Sequence, residues 1–158
     1  SDLENHGENP GLIYRTILNE GKVYMPPDNI PPGSPQDWLR YALADLKMAR
    51  YPLPKDELYQ ILCFHAQQAA EKSVKAVLIK QGIEWPRTHR LKVLIDLLPD
   101  GIHKTPELAE ADRLTPYAVT LRYPGIRDEI TEKDYLEAMH IAEKIYSWAT
   151  SITQTNPP

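Results

Sequence analysis

His65, Gln68, Lys72 and Lys75 recur at spacings of three and four within a stretch that holds no Pro or Gly. On a helix such residues stand one above another on neighbouring turns, so one imidazole, one amide and two ammonium groups offer several hydrogen-bond donors along one line. That set can bind a phosphate or a base edge; it also fits a solvated helix face on which Glu71 and Lys75 form an ordinary i,i+4 ion pair. Further on, Arg87, His89 and Arg90 fall where a new helix opens, and the free N–H groups and dipole of a helix start attract anions. Capping and surface roles suit Thr88 and Arg90 equally well. Arg122, just before Tyr123-Pro124-Gly125, either enters the same site or pairs with a carboxylate such as Glu71.

Other chemistries have less behind them. His65, His89, His103 and His140 are scattered, and no pair has a ligand spacing backed by a carboxylate motif, so no metal site and no cofactor is expected. Cys63 is the single cysteine, which excludes an intrachain disulfide and a cysteine zinc site. Its helical neighbours are apolar, and it points away from His65, as a buried small hydrophobe would rather than a nucleophile. There is no glycine-rich phosphate loop, and no catalytic residue is assigned.

The polar line needs a rigid support. Residues 59–81 read as one helix, and at about 1.5 Å per residue it would run roughly 35 Å, the height of a small domain. Leu62, Cys63, Ala66, Ala69, Ala70, Ser73, Val74, Ala76 and Val77 share its broad face. Many of these are small and let other helices approach closely, so this helix is expected at the centre. Ser34 as N-cap, Pro35 and Asp37 start an earlier helix over about 35–50, with Trp38, Tyr41, Ala42, Leu46 and Ala49 toward the core. Tyr51-Pro52-Leu53-Pro54 ends it, and the short connection to a central helix starting near Asp56 makes the two antiparallel neighbours.

Gly82 closes the central helix, and Thr88 is the expected cap of a third helix with a Leu91, Leu94, Ile95, Leu98 stripe. Thr105-Pro106-Glu107 starts a fourth, which Pro116 should kink or break. Thr131 to Asp134 caps a fifth, with Tyr135, Ala138, Met139, Ala142, Ile145, Tyr146 and Ala149 on one stripe. Before all of these, residues 11–25 show a short helical pattern capped by Gly21 and then a strand-like Lys22-Val23-Tyr24-Met25.

Length and composition limit the reading further. The 158 residues fit one domain, and 42% hydrophobic content supplies a single core. Seven of the 15 prolines lie in Pro26 to Pro35 and Pro52 to Pro54, which marks these as linkers. A net charge of −4 argues against a broad basic coat, so any nucleic-acid or phosphate site must be a local patch. No run approaches a membrane span and no signal peptide is visible, so a cytoplasmic protein is expected.

Three ordered motifs carry a resemblance to a known family. Residues 64–78, Phe64-His-Ala-Gln-Gln-Ala-Ala-Glu-Lys-Ser-Val-Lys-Ala-Val-Leu78, resemble the signature helix of the HEPN domain (higher eukaryotes and prokaryotes nucleotide-binding). Pro86-Arg87-Thr88-His89-Arg90-Leu91 is similar to the start of that family's next helix, and Leu121 to Gly125 to its Arg-Tyr-Pro segment. The resemblance spans about residues 35–150 and implies an all-α fold, nucleotide or RNA binding, and pairing as a homodimer. Residues 11–25 resemble the last helix and strand of minimal nucleotidyltransferase domains, which commonly accompany HEPN domains, although they carry none of that enzyme's Gly-Ser and paired-Asp motif. An arm packing on the bundle or on a partner is the other reading of that segment. Many HEPN proteins are metal-independent ribonucleases that use an Arg followed four to six residues later by a His. This chain departs from that pattern, because Arg87 and His89 are too close and no His follows Arg122 at that distance.

The expectation is therefore an all-α, antiparallel, up-and-down bundle of about five helices. Residues 1–33 form an N-terminal arm and linker, 34–153 the HEPN-like domain, and 154–158 a frayed tail. His65, Gln68, Lys72 and Lys75 are expected to converge with Arg87 and His89, with Arg122 a further member, on a nucleotide or RNA. The expected function is a nucleotide- or RNA-binding module acting with a nucleotidyltransferase partner. The alternative is a ribonuclease with a rearranged set of His65, His89, Arg87 and Arg122.

Overall fold

The computed structural model describes residues 29–50, 59–120 and 129–154. The helical and strand-like patterns of residues 11–25, the helix junction near Asp56, the Arg122 segment and the last four residues lie outside the described residues. Among the described residues every regular element is helical.

Helix α1, Pro35–Ala49, starts as its sequence dictates. Ser34 Oγ accepts from the Asp37 backbone N–H at 3.2 Å, while Asp37 Oδ2 accepts from the Gly33 N–H at 2.9 Å. This two-way cap satisfies one donor of the first turn and the N–H just before the N-cap, a contribution of about 1 kcal/mol. Helix α2, Tyr59–Lys80, ends at Gly82, whose φ of 70° only a residue without Cβ adopts cheaply. The Ile83 N–H reaches back to the Leu78 carbonyl at 2.9 Å and the Gly82 N–H to the Ile79 carbonyl at 3.0 Å, closing a Schellman motif. Ile83 is thereby folded down against the core, and the chain turns toward the next helix.

The return leg is broken into short pieces: α3, Leu91–Asp96; α4, Pro106–Glu110; a 3₁₀ turn, Ala111–Leu114; and α5, Tyr117–Thr120. Pro116 cannot donate an N–H, and the break it imposes lies between the 3₁₀ turn and α5. Helix α6, Glu132–Gln154, opens with another reciprocal cap, in which Thr131 Oγ1 accepts from the Asp134 N–H at 3.2 Å and Asp134 Oδ2 accepts from the Thr131 N–H at 2.9 Å.

Side-chain pairings fix the directions. Trp38 lies beside Lys75 and Asp45 beside His65, so α1 and α2 are antiparallel. Tyr59 stacks on Tyr135 at 5.5 Å, and Lys80 donates to the Ile152 and Thr153 carbonyls, so α2 and α6 run the same way. The Tyr135 hydroxyl donates to the Ala49 carbonyl at 2.7 Å and ties the start of α6 to the end of α1. All three long helices thus meet around α2, whose Ala66, Ala69, Ala70, Val74, Ala76 and Val77 are fully buried. Small side chains there permit close approach, and Leu46, Leu78, Leu91, Leu94, Leu114, Ile141 and Ile145 fill the space beside them.

Three expectations need correction. Tyr41 is exposed and Leu39 takes the buried place, because α1 turns its Leu39, Ala42, Leu46, Ala49 face to the core. Helix α3 begins at Leu91, without a side-chain cap from Thr88. Its leading N–H groups are met instead from the 3₁₀ turn and the residue that follows it: Thr115 Oγ1 accepts from Leu91 at 3.1 Å and Asp112 Oδ1 accepts from Lys92 at 3.3 Å. Thr105 is the N-cap residue of α4 as expected, but its hydroxyl makes no cap bond.

Ala70 is fully buried in the centre of α2, so Ala70→Glu would bury a charge with no room and no partner. The expected cost is about 4 kcal/mol or more, enough to unfold a marginal domain. A thermal melt of the variant coinciding with the parent's would show that this face is not the core.

Candidate functional site

The polar residues of α2 face a seam lined by α1 and by the segment between α2 and α3, and two carboxylates organise them. The first is Asp45 of α1. Its Oδ1 lies 3.0 Å from His65 Nδ1, and its Oδ2 accepts from the Lys72 ammonium at 2.5 Å. Asp45 is largely withdrawn from water, whereas His65 and Lys72 are each about one quarter exposed. His65 also packs edge-on against Phe64, with ring centroids 5.5 Å apart.

The second carboxylate is Glu71, which departs from its expected place on a solvated stripe: only 4% of it is exposed. The Lys75 ammonium donates to Oε1 at 2.7 Å, the Gln67 amide to Oε2 at 2.7 Å, and His89 Nδ1 lies 3.2 and 3.3 Å from the two oxygens. Gln67, itself fully buried, also accepts from the Gln68 amide at 2.7 Å and lies 3.5 Å from the His89 carbonyl. Burial alone would push the Glu71 carboxyl up. The Lys75 charge and hydrogen bond, the Gln67 hydrogen bond and the His89 charge outweigh that and hold it below its ordinary 4.5.

Trp38 and Trp85 meet edge to face at 5.8 Å, and the Lys75 ammonium sits 5.7 and 5.5 Å from their ring centroids. A cation over two indoles and on a carboxylate is held in one place. Both indoles are partly exposed, which leaves ring surface on which a base could stack. Arg87, two residues beyond Trp85, is exposed and makes no ion pair among the described residues. Arg90 is also exposed and lies 3.9 Å from Asp112, a contact of little energetic weight.

The residues singled out by spacing fall into two groups, His65 and Lys72 on Asp45, and Lys75, Gln68 and His89 on Glu71 and Gln67. Arg87 borders this set in the chain, and Arg122 lies outside the described residues. The open helix start expected near Arg87 and His89 is closed by Thr115 and Asp112. Asp45, Gln67, Trp38 and Trp85 stand outside the set that spacing singles out. Asp45 lies one helical turn after Tyr41 on α1, and the sequence offers no signal that it meets residues 20 and 27 positions away. Each lysine of the seam is matched by a carboxylate, so excess positive charge comes from Arg87 and from whichever imidazoles carry a proton. The Cys63 thiol is pushed up to about 12, first by burial and then by the Asp134 charge, against a Tyr117 hydrogen bond, which disfavours the thiolate a nucleophile needs. Among the described residues no group of three or more His, Cys, Asp or Glu is placed to hold a metal ion.

Removing Glu71 would strand Lys75 and Gln67, so Glu71→Ala is expected to cost about 3 kcal/mol. A carboxyl held lower in the folded than in the unfolded chain adds stability that is present above its ordinary 4.5 and is lost as the pH falls through the lower folded value. Denaturant melts from about pH 7 to about pH 3 should therefore show a shallower acid loss in Glu71→Gln than in the parent. Parallel acid profiles would remove the carboxylate from this role.

No helix among the described residues is long and apolar enough to cross a membrane. No curated protein matches the chain. Two solved structures are similar. The crystal structure of TT1696 from Thermus thermophilus superposes with a TM-score of 0.65 at 26% identity, covering 75% of this chain and 97% of that one. ST0689, described as an archaeal HEPN homologue, gives a TM-score of 0.59 at 32% identity, covering 77% of this chain and 98% of its own. The HEPN domain family matches residues 35–152, from the first residue of α1 nearly to the end of α6, and the chain belongs to that family.

Proposed function

We propose that this HEPN domain is a nucleotide- or RNA-binding module that works with a nucleotidyltransferase partner and pairs with a second copy of itself. The observation that carries the reading is the seam of α2, where His65, Gln68, Lys72 and Lys75 are held by side-chain partners, with His89 on Glu71, beside partly exposed indole surface and the exposed Arg87. A ligand served by that set has a flat base to stack and an anionic group to pair, spread along two to three helical turns, as a nucleotide or a short RNA does. The resemblance of residues 11–25 to the end of a nucleotidyltransferase domain supports the partner, with residues 34–153 as the binding unit and 1–33 as an arm.

Arg87→Ala is the cleanest test, because among the described residues Arg87 makes no ion pair whose loss would disturb the fold. It should weaken binding of nucleoside phosphates or single-stranded RNA roughly tenfold at low salt, with thermal stability unchanged. Lys72→Ala should weaken binding too, with some loss of stability, since Asp45 keeps only His65. Affinity should fall as salt rises. Calorimetry that detects no binding to any nucleotide or RNA at low salt would reduce the seam to a structural network. Light scattering that finds a monomer at high micromolar concentration would dispose of the pairing.

A second reading, a metal-independent ribonuclease, draws support from the contact of His65 with a carboxylate, an arrangement that suits a general base. Against it stands the missing Arg and His spacing, and no guanidinium among the described residues is bonded to His65. The purified chain is expected not to cleave RNA at a useful rate. Nuclease activity that rises with protein concentration and disappears in His65→Ala would reverse the order of the two readings.

A further inference from the structure

The contacts of Asp45 determine which nitrogen of His65 carries its proton. An ionised carboxylate only accepts, so the partner 3.0 Å from Asp45 Oδ1 must be an Nδ1–H donor. Lys72 donates to the other oxygen, Oδ2, so both carboxylate oxygens serve as acceptors. In neutral His65 the lone pair is then on Nε2, and no described residue donates a hydrogen bond to it. His89 is less defined: it is 63% exposed and shares its Nδ1 between both Glu71 oxygens at 3.2 and 3.3 Å.

We propose that Asp45 is a positioning residue that sets His65 as a hydrogen-bond acceptor beside the Lys72 ammonium, and that this acceptor receives a ribose hydroxyl of the bound ligand. An acceptor beside a fixed cation complements a ligand in which a hydroxyl donor adjoins an anionic group. A ribonucleotide carries that combination, with its sugar hydroxyls next to its phosphate, and the 2′-hydroxyl is what its deoxy counterpart lacks. This inference rests on the nucleotide-binding reading and adds to it the sugar the site selects.

Two measurements on the full chain test it. Nitrogen-15 NMR of the His65 imidazole at a pH where it is neutral should show the proton on Nδ1 in the parent. In Asp45→Asn, whose amide can instead donate to Nδ1, the proton should shift toward Nε2. Calorimetry with ribonucleoside monophosphates against their 2′-deoxy forms should give the parent a ribose preference of roughly three- to tenfold, the worth of one hydrogen bond. That preference should vanish in Asp45→Asn. It should vanish also in His65→Ala, which keeps the Asp45 to Lys72 pair and so guards against a variant that fails to fold. A parent with the proton on Nε2, or with equal affinity for the two sugars, overturns the proposal while the nucleotide reading stands. A parent that binds no nucleotide ends both.

Discussion

A carboxylate inside a helical bundle stays ionised only if donors replace the water it has lost, and each donor to Glu71 fixes a different part of this molecule. Lys75 reaches it along α2 and is pinned in turn against Trp38 of α1 and Trp85 of the following turn. Gln67 reaches it from one turn earlier and is locked at its other end by Gln68. His89 reaches it across the connection to α3, so the path of residues 83–90 is tied to the central helix by side chains as well as by the Gly82 turn. Replacing any one of these donors leaves the buried carboxylate short of a partner and raises the cost of keeping it charged.

The same helix does two mechanical jobs on opposite faces. Its alanines bring α6 and α1 close, and Lys80 caps the last carbonyls of α6, which runs in the same direction. Because the backbone is held from the apolar side, the side chains of the polar side need only short reaches to their carboxylates. A shift of α1 along α2 by one residue would move Asp45 about 1.5 Å and misalign its contacts with His65 and Lys72 together. The interhelical register and the geometry of the seam are therefore one constraint.

Local chemistry made much of this architecture legible. Ser34, Pro35 and Asp37, or Thr131 and Asp134, lie within one turn of each other, so their capping follows from spacing alone. Gly82 is legible for the same reason, since only glycine takes that turn without strain. What escaped depends on packing between distant segments. The α3 start is satisfied by Thr115 and Asp112 rather than by nearby Thr88, and the rotation of α1 that exposes Tyr41 and buries Leu39 is set by α2 and α6. Glu71 misled because a helical wheel places polar residues outward by type, whereas here Glu71 and Gln67 form a matched set that fills an interface. The polar line and its Glu71–Lys75 pair were visible at their spacing, whereas the Asp45 partner, the burial of Glu71 and its contacts with Gln67 and His89 were what spacing could not supply.

Matched charge also limits what the seam can attract. An unpaired lysine would draw any anion, but Lys72 and Lys75 already rest on Asp45 and Glu71, and a phosphate that approached either would have to compete with a carboxylate at hydrogen-bond distance. Within a chain of net charge −4, long-range attraction is weak and is screened beyond about 8 Å at physiological salt. For the proposed ligand, discrimination would then rest on short-range shape: on ring surface at Trp38 and Trp85, on the amide of Gln68, and on the His65 imidazole oriented by Asp45. In the proposed binding, an anionic group would reach Lys72 only where a neighbouring hydroxyl or base edge also fits, and Arg87, exposed at the border, is the residue through which charge would enter the encounter.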